Sequence, residues 1–129
     1  TGLEFNAEAR LGRPLGTIDR PRPERAEARL SARSLRNVAV SVEAIGELAL
    51  ILAAPAGPDS AGDVAAQLDR IATLIDRADD PALQGVADPQ GRLRIEAIRS
   101  RIDELRGTLA QDVAPALGVA AGFNALDGD

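Results

Sequence analysis

Three long segments of this chain repeat apolar residues at alternating spacings of three and four, and this periodicity constrains the fold more than any other feature. Positions three and four apart fall on one face of an α-helix, so each segment predicts an amphipathic helix. Stretches rich in proline and glycine separate the segments, and proline cannot continue the interior of a helix. The three apolar stripes are Leu35, Val38, Val42, Ile45, Ala49 and Leu52; Val64, Leu68, Ile71, Ile75 and Ala78; and Ile95, Ile98, Ile102, Leu105 and Leu109.

The residues that flank these stripes predict where each helix begins and ends. The first helix is expected to span about 23–54, and the second to begin near Ser60, with Asp63 completing an approximate capping box. The third is expected to follow an N-cap at Asp88 and to end at Pro115.

Three such helices leave one side of a bundle open, and a shorter helix at residues 2–11 can close it. Three prolines in residues 12–23 predict an extended connection between this helix and the next. Spacings of three and four favour helices that pack at shallow angles. We therefore predict an all-α fold, an antiparallel up-down four-helix bundle with a long, extended connection rich in Arg and Pro. The whole chain, residues 1–129, is expected to form this single domain.

The amino-acid composition excludes several kinds of functional site. The chain has no Cys and no His, which excludes disulfides, thiolate metal sites, a Ser-His-Asp triad and an H-E-x-x-H zinc site within it. All fifteen basic residues are Arg, and the net charge is −5. An acidic chain binds nucleic acid poorly, so no nucleic-acid partner is expected. Residues 1–36 form a local exception, with eight Arg against five acidic residues.

This basic segment supplies the first candidate site. On the predicted first helix Arg29, Arg33 and Arg36 are spaced i, i+4 and i+7, so they would share one face, with Ser34 beside them and Asp19 in the preceding loop. Guanidinium groups suit carboxylate or phosphate partners. Three interpretations remain open: a solvated charged face, a contact between domains and an anion site.

The last residues of the chain supply the second candidate site. Asn124, Asp127 and Asp129 offer hard oxygen ligands, and Gly128 permits a tight turn between them. Such donors suit Ca²⁺, Mg²⁺ or an oxygen-liganded iron, although three donors do not fill a coordination shell. The alternative is a cluster of Asx turns that pins the end of the chain.

Neither a signal peptide nor a transmembrane segment is expected. The longest apolar stretch, "AIGELALILAA", is interrupted by Glu47 and is too short to cross a bilayer. The opening "TGLEFNAEARLG" resembles the end of a helix cut from something upstream, so we expect a fragment or a processed chain.

Two stretches carry a family resemblance. "LGRPLGTIDRPRPERAEARLSARSLRNV" at 11–38 and "GFNALDGD" at 122–129 resemble the C-terminal part of the imelysin-like proteins, the insulin-cleaving membrane protease family. "SLRN" and the "GFN-x-x-DGD" ending are the most specific pieces. The resemblance follows the whole chain in order, although only about a third of it carries motif.

The resemblance implies an exported bacterial envelope protein, periplasmic or associated with the outer membrane, that is linked to iron uptake. It implies two helical domains with a site between them, so this chain would be the C-terminal half. The family hallmark, G-x-H-x-x-E, belongs to the N-terminal domain, which would be the missing partner. Any membrane attachment would then come from an anchor outside this chain.

The resemblance also implies that the two polar clusters face one interdomain cleft. Asn124 and Asp127 would orient or ligate a bound group, which would be iron or another divalent cation, and Asp129 would add charge. Arg33 and Arg36 would balance that charge or hold an anion.

Three functions therefore stand beside one another. The first is a binding module for iron or an iron-associated ligand. The second is half of a metallopeptidase, to which this chain contributes supporting residues and no catalytic residue of its own. The third is a structural bundle whose Arg face contacts another protein.

Overall fold

The fold is all-α, as the periodicity predicts. The computed structural model describes residues 1–118. Four helices make up this region: α1 at residues 2–15, α2 at Ser34–Ala53, α3 at Pro58–Ala78 and α4 at residues 89–116. Helix α1 contains a π-helical stretch at Phe5–Gly12, and α4 contains another at Leu109–Val113. Within residues 1–118 the only β-type pairing is an isolated bridge between Thr17 and Arg20.

The four helices form a bundle in which each contacts its neighbours along the chain and α1 also packs on α4. The contacts of α1 run in opposite directions along its neighbours: Gly2 lies against Ile45 and Arg10 against Asn37 of α2, while Glu4 pairs with Arg106 and Glu8 with Arg99 of α4. Gly46 contacts Leu68 between α2 and α3, and Gln67 contacts Thr108 between α3 and α4.

The apolar stripes form most of the core. Four of the five residues named for α4 are buried, as are four of the five named for α3. In α2 the prediction fails at its C-terminal end, where Leu52 is exposed. The core also contains Leu83 and Val86, which come from the connection between α3 and α4 and lie outside any helical stripe. A period of 3.6 could not identify these two residues because they do not lie on a long helix.

The predicted start of α2 near residue 23 is wrong. Residues 23–33 form two short 3₁₀ turns, Pro23–Arg25 and Arg29–Ser31. Ala28 and Ala32, which flank the second turn, adopt left-handed backbone conformations with φ of 55° and 54°. This segment has little apolar surface to bury as a helix, since Leu30 is 89% exposed. Tertiary contacts therefore determine the backbone conformation of residues 23–33.

The other boundary predictions had mixed outcomes. Asp88 caps α4 as expected, because its carboxylate accepts hydrogen bonds from the backbone N–H groups of Gln90 and Gly91. The capping box at Ser60 is wrong, because α3 begins two residues earlier at Pro58. The Asp63 carboxylate instead accepts a hydrogen bond from Gln67 Nε2 at 2.9 Å. Residues 12–15 are also helical rather than extended.

Helix α2 extends well beyond the eleven-residue apolar stretch considered in the sequence. Together with the 3₁₀ turn that follows it, the segment Ser34–Ala56 is long and apolar enough to cross a membrane by length and composition: an 18-residue window within it has a mean hydropathy of 1.8, and 28% of that window is buried. Core helices of soluble bundles meet the same criterion, so this is weak evidence for a membrane span.

Candidate functional site

The Arg side chains that were expected to share a helix face do not. Arg29 lies in a 3₁₀ turn, Arg33 is the residue before α2 and Arg36 is in the first turn of α2. All three are exposed. The Nε of Arg29 donates a hydrogen bond to the backbone oxygen of Glu24 at 3.2 Å. The i, i+4, i+7 argument fails because the left-handed residue Ala32 separates Arg29 from the helix.

Ser34 is the candidate whose surroundings are most unusual. It is 2% exposed, and its Oγ has no hydrogen-bond partner among the described residues. A buried hydroxyl without a partner costs free energy, so each one in a native fold needs an explanation. Ser34 is also the first residue of a twenty-residue helix, where the helix dipole favours negative charge. Arg33 and Arg36 stand on either side of it in the sequence.

The start of α2 is held against the connection that follows α3. The backbone N–H of Leu35 donates a hydrogen bond to the backbone oxygen of Pro81 at 3.0 Å, and Leu35 is buried. No side chain caps α2 within the described residues. The position of Ser34 is therefore determined by tertiary contacts and not by a local capping motif.

Asp19 lies in the exposed turn between the bridged residues Thr17 and Arg20. Asp19 makes no ion pair within the described part of the chain. Asp19 does not hydrogen-bond to the Ser34 hydroxyl among the described residues.

Two arginines that the sequence argument left aside hold the long connection in place. Arg10 pairs with Glu27 at 2.7 Å, and also donates to Asn6 Oδ1 and to the backbone oxygen of Asn37. Its guanidinium carbon lies 5.1 Å from the centroid of the Phe5 ring. Arg10 thus joins α1, the connection and α2. The hydrogen bond between Arg10 and Asn6 could have been predicted from the sequence, because the two residues are four apart on a predicted helix.

Arg92 provides the second attachment of the connection. Its Nη1 donates to the backbone oxygens of Leu15 at 2.7 Å and Thr17 at 3.1 Å, while its Nε pairs with Glu96 at 2.7 Å. The backbone oxygens of Leu15 and Thr17 lie more than seventy residues from Arg92 in the sequence, so no local pattern could have identified these two hydrogen bonds.

The second candidate cluster, Asn124, Asp127 and Asp129, lies outside the described residues. Within residues 1–118 no three side chains of His, Cys, Asp or Glu come together as a metal-binding group.

Ser34 and Gly118, the last described residue, lie at opposite ends of the bundle. Ser34 lies at the end formed by the connections that precede α2 and follow α3. Helix α4 ends near the other end, where Leu109 and Ala110 lie close to Thr1 and Leu52.

Comparison with known protein families shows which family this chain belongs to. The family model described as Imelysin matches residues 1–109. No curated protein and no solved structure matches the chain. The match includes all of α1, α2 and α3, the long connection, Ser34 and most of α4. The all-α bundle and its Arg-rich connection thus belong to a member of the imelysin family.

Proposed function

We propose that this chain is the C-terminal bundle of an exported imelysin-like envelope protein and binds iron or an iron-associated ligand at a site shared with a second domain. The family match supports the assignment to imelysin. The observation that carries the binding role is Ser34, a buried hydroxyl without a partner in the described residues.

The chemistry around Ser34 favours a ligand that carries anionic oxygens. A hydroxyl can donate one hydrogen bond, and the first N–H groups of a helix attract negative charge. Arg33 and Arg36 are exposed and can add charge-assisted hydrogen bonds. Under this proposal the second domain, which carries G-x-H-x-x-E, supplies the metal donors that residues 1–118 lack. Asn124, Asp127 and Asp129 are proposed to contribute oxygen ligands to the metal at the site shared with the second domain.

A periplasmic or outer-membrane-associated location forms part of the same proposal, with membrane attachment through an anchor outside these residues. We do not favour the metallopeptidase alternative, because no observation on the described residues points to hydrolysis.

Reconstitution with the second domain tests this proposal. The full 129-residue chain would be mixed with an imelysin domain that carries G-x-H-x-x-E, loaded with iron and desalted, and its metal content measured by mass spectrometry. We expect the pair to retain iron and the isolated chain to lose it. The double variant Asp127→Asn, Asp129→Asn should lower retention by about tenfold, since carboxylates are the charged ligands. Asp59→Asn with Asp112→Asn, which removes the same charge elsewhere, should leave it unchanged.

The variant Ser34→Ala tests the role of the Ser34 hydroxyl in ligand binding separately from the role of the aspartates in metal binding. If Ser34 binds the ligand, its removal lowers the affinity of the pair for an anionic iron chelate such as ferric citrate, while the bundle keeps its stability. Equal iron retention by the pair, the isolated chain and the aspartate double variant would contradict the proposal.

A further inference from the structure

An open groove runs between α2 and α3 on the surface of the bundle, away from Ser34. It has a volume of about 440 Å³ and an apolar floor. The floor is formed by Val42, Gly46, Leu50, Leu68, Ala72 and Ile75.

Small residues create this groove. Gly46 allows α2 to approach α3, because a Cβ at this position would lie 2.8 Å from a methyl carbon of Leu68. Ala39 and Ala72 also line the groove and extend only a methyl group into it. Two helices that carried larger residues at these positions would fill the space with their own side chains. The groove extends over about three turns of α2, or about 16 Å, and Leu50, Leu68 and Ala72 supply the apolar surface that it leaves partly open to solvent.

Carboxylates border the groove on both sides. Glu43 and Glu47 line it from α2, and Asp69 and Asp76 line it from α3. All four are exposed, and none forms an ion pair with any described residue. No Arg lines the groove. Like charges four residues apart destabilise a helix slightly, so the pair on α2 has an energetic cost that nothing in the described bundle offsets.

We propose that this groove docks an amphipathic helix of a partner protein, with an apolar face and basic residues along both edges. A helix laid between two helices presents its apolar residues to a floor of this kind, as in other complexes of a helix in a groove. Basic residues on its two edges would then meet Glu43 and Glu47 on one side and Asp69 and Asp76 on the other. Complementary charge of this kind determines partner choice and association rate.

Charge also argues against the two occupants that this chain could supply itself. In a symmetric dimer formed through this groove, a second copy would present the same four carboxylates, so like charges would face one another. The sequence after residue 118 carries two Asp and no basic residue, so it has the same sign as the groove borders.

A designed peptide tests the proposal on the full 129-residue chain. The probe is a fluorescein-labelled helix with a Leu/Ala face and Arg on both edges. The two controls are the same peptide with Glu in place of Arg and a scrambled peptide of equal composition. We expect the Arg peptide to bind with an affinity at least about tenfold higher than either control at low salt, and salt to weaken this binding.

Protein variants locate the binding surface. Glu47→Gln with Asp69→Asn neutralises one carboxylate on each border and should weaken binding by about tenfold at low salt. Asp59→Asn with Asp112→Asn changes the net charge equally but lies outside the groove, and should change binding by less than about twofold. Ala72→Leu, at an exposed helical position, should weaken binding because its side chain occupies the floor.

Three outcomes would overturn the proposal. Equal binding of the Arg and Glu peptides would remove the role of charge, and equal weakening by the two double variants would remove the role of the groove. Sedimentation that shows a dimer strengthened by Glu47→Gln with Asp69→Asn would make a second copy of the chain the occupant.

Discussion

At the scale of single residues, backbone conformation in the long connection is determined by contacts and not by propensity. Ala28 and Ala32 are left-handed, although a side chain makes this conformation unfavourable by about 1–2 kcal/mol. The unfavourable conformation places Leu35 against Pro81 and Glu27 against Arg10. Residue identity alone does not indicate this conformation, because alanine has the highest intrinsic helix propensity.

Replacement of Ala32 by glycine is expected to raise the free energy of unfolding by about 0.5–1 kcal/mol, because glycine adopts φ of 54° without a Cβ clash. The matched control is Ala44→Gly, at an exposed position inside α2, which should lower it by about 1 kcal/mol. Urea denaturation followed by circular dichroism measures both changes. Destabilisation of similar size in the two variants would show that Ala32 is not strained.

At the scale of elements, the ends of the helices show which local signals were sufficient. Asp88 precedes Pro89 and caps α4, and a pattern of this kind needs no tertiary contact to act. Helix α3 begins at Pro58 without any side-chain cap among the described residues, so proline determines its start. Helix α2 also lacks a side-chain cap there, and its start depends on the contact with Pro81.

Substitution of Asp88 by alanine is expected to lower the free energy of unfolding by about 1 kcal/mol, because two backbone N–H groups of α4 lose their acceptor. Asp59→Ala provides the comparison. Asp59 lies in the first turn of α3, where no capping hydrogen bond is described, so only about 0.3 kcal/mol should be lost. Thermal unfolding of both variants checks this difference, and equal losses would contradict the capping role of Asp88.

At the scale of the whole molecule, aliphatic packing between four helices holds the bundle together. The chain has only two aromatic residues, and Phe5 is half-exposed, so Leu, Ile, Val and Ala fill the described core. Ile98 is completely buried on α4, the helix that packs on both α1 and α3. Leu93 lies five residues earlier on the same helix and is 64% exposed.

Truncation of Ile98 to alanine should therefore lower the free energy of unfolding by about 2–5 kcal/mol, through lost burial and a cavity between helices. Leu93→Ala removes a side chain of the same size from the same helix and should change stability by less than about 0.5 kcal/mol. Chemical denaturation of the two variants measures the contrast. Similar losses would mean that the surface around Leu93 is buried in solution.

The candidate site, too, could be predicted from the sequence only in part. Ser34, Arg33 and Arg36 could be selected from the sequence because they stand in one short motif. Their arrangement could not, because it depends on where α2 begins. Asp19 was selected with them, but it lies in a separate exposed turn. The opposite ends at which Ser34 and Gly118 lie follow from the course of all four helices.

The sequence by itself determined the fold class and the number of helices, because a period of 3.6 and the positions of proline and glycine act over a few residues. The tertiary structure decided the start of α2, the pairing of Arg10 with Glu27 and the open groove beside Gly46. Each of these depends on residues that are far apart in the sequence, so its free energy exists only once the helices have packed.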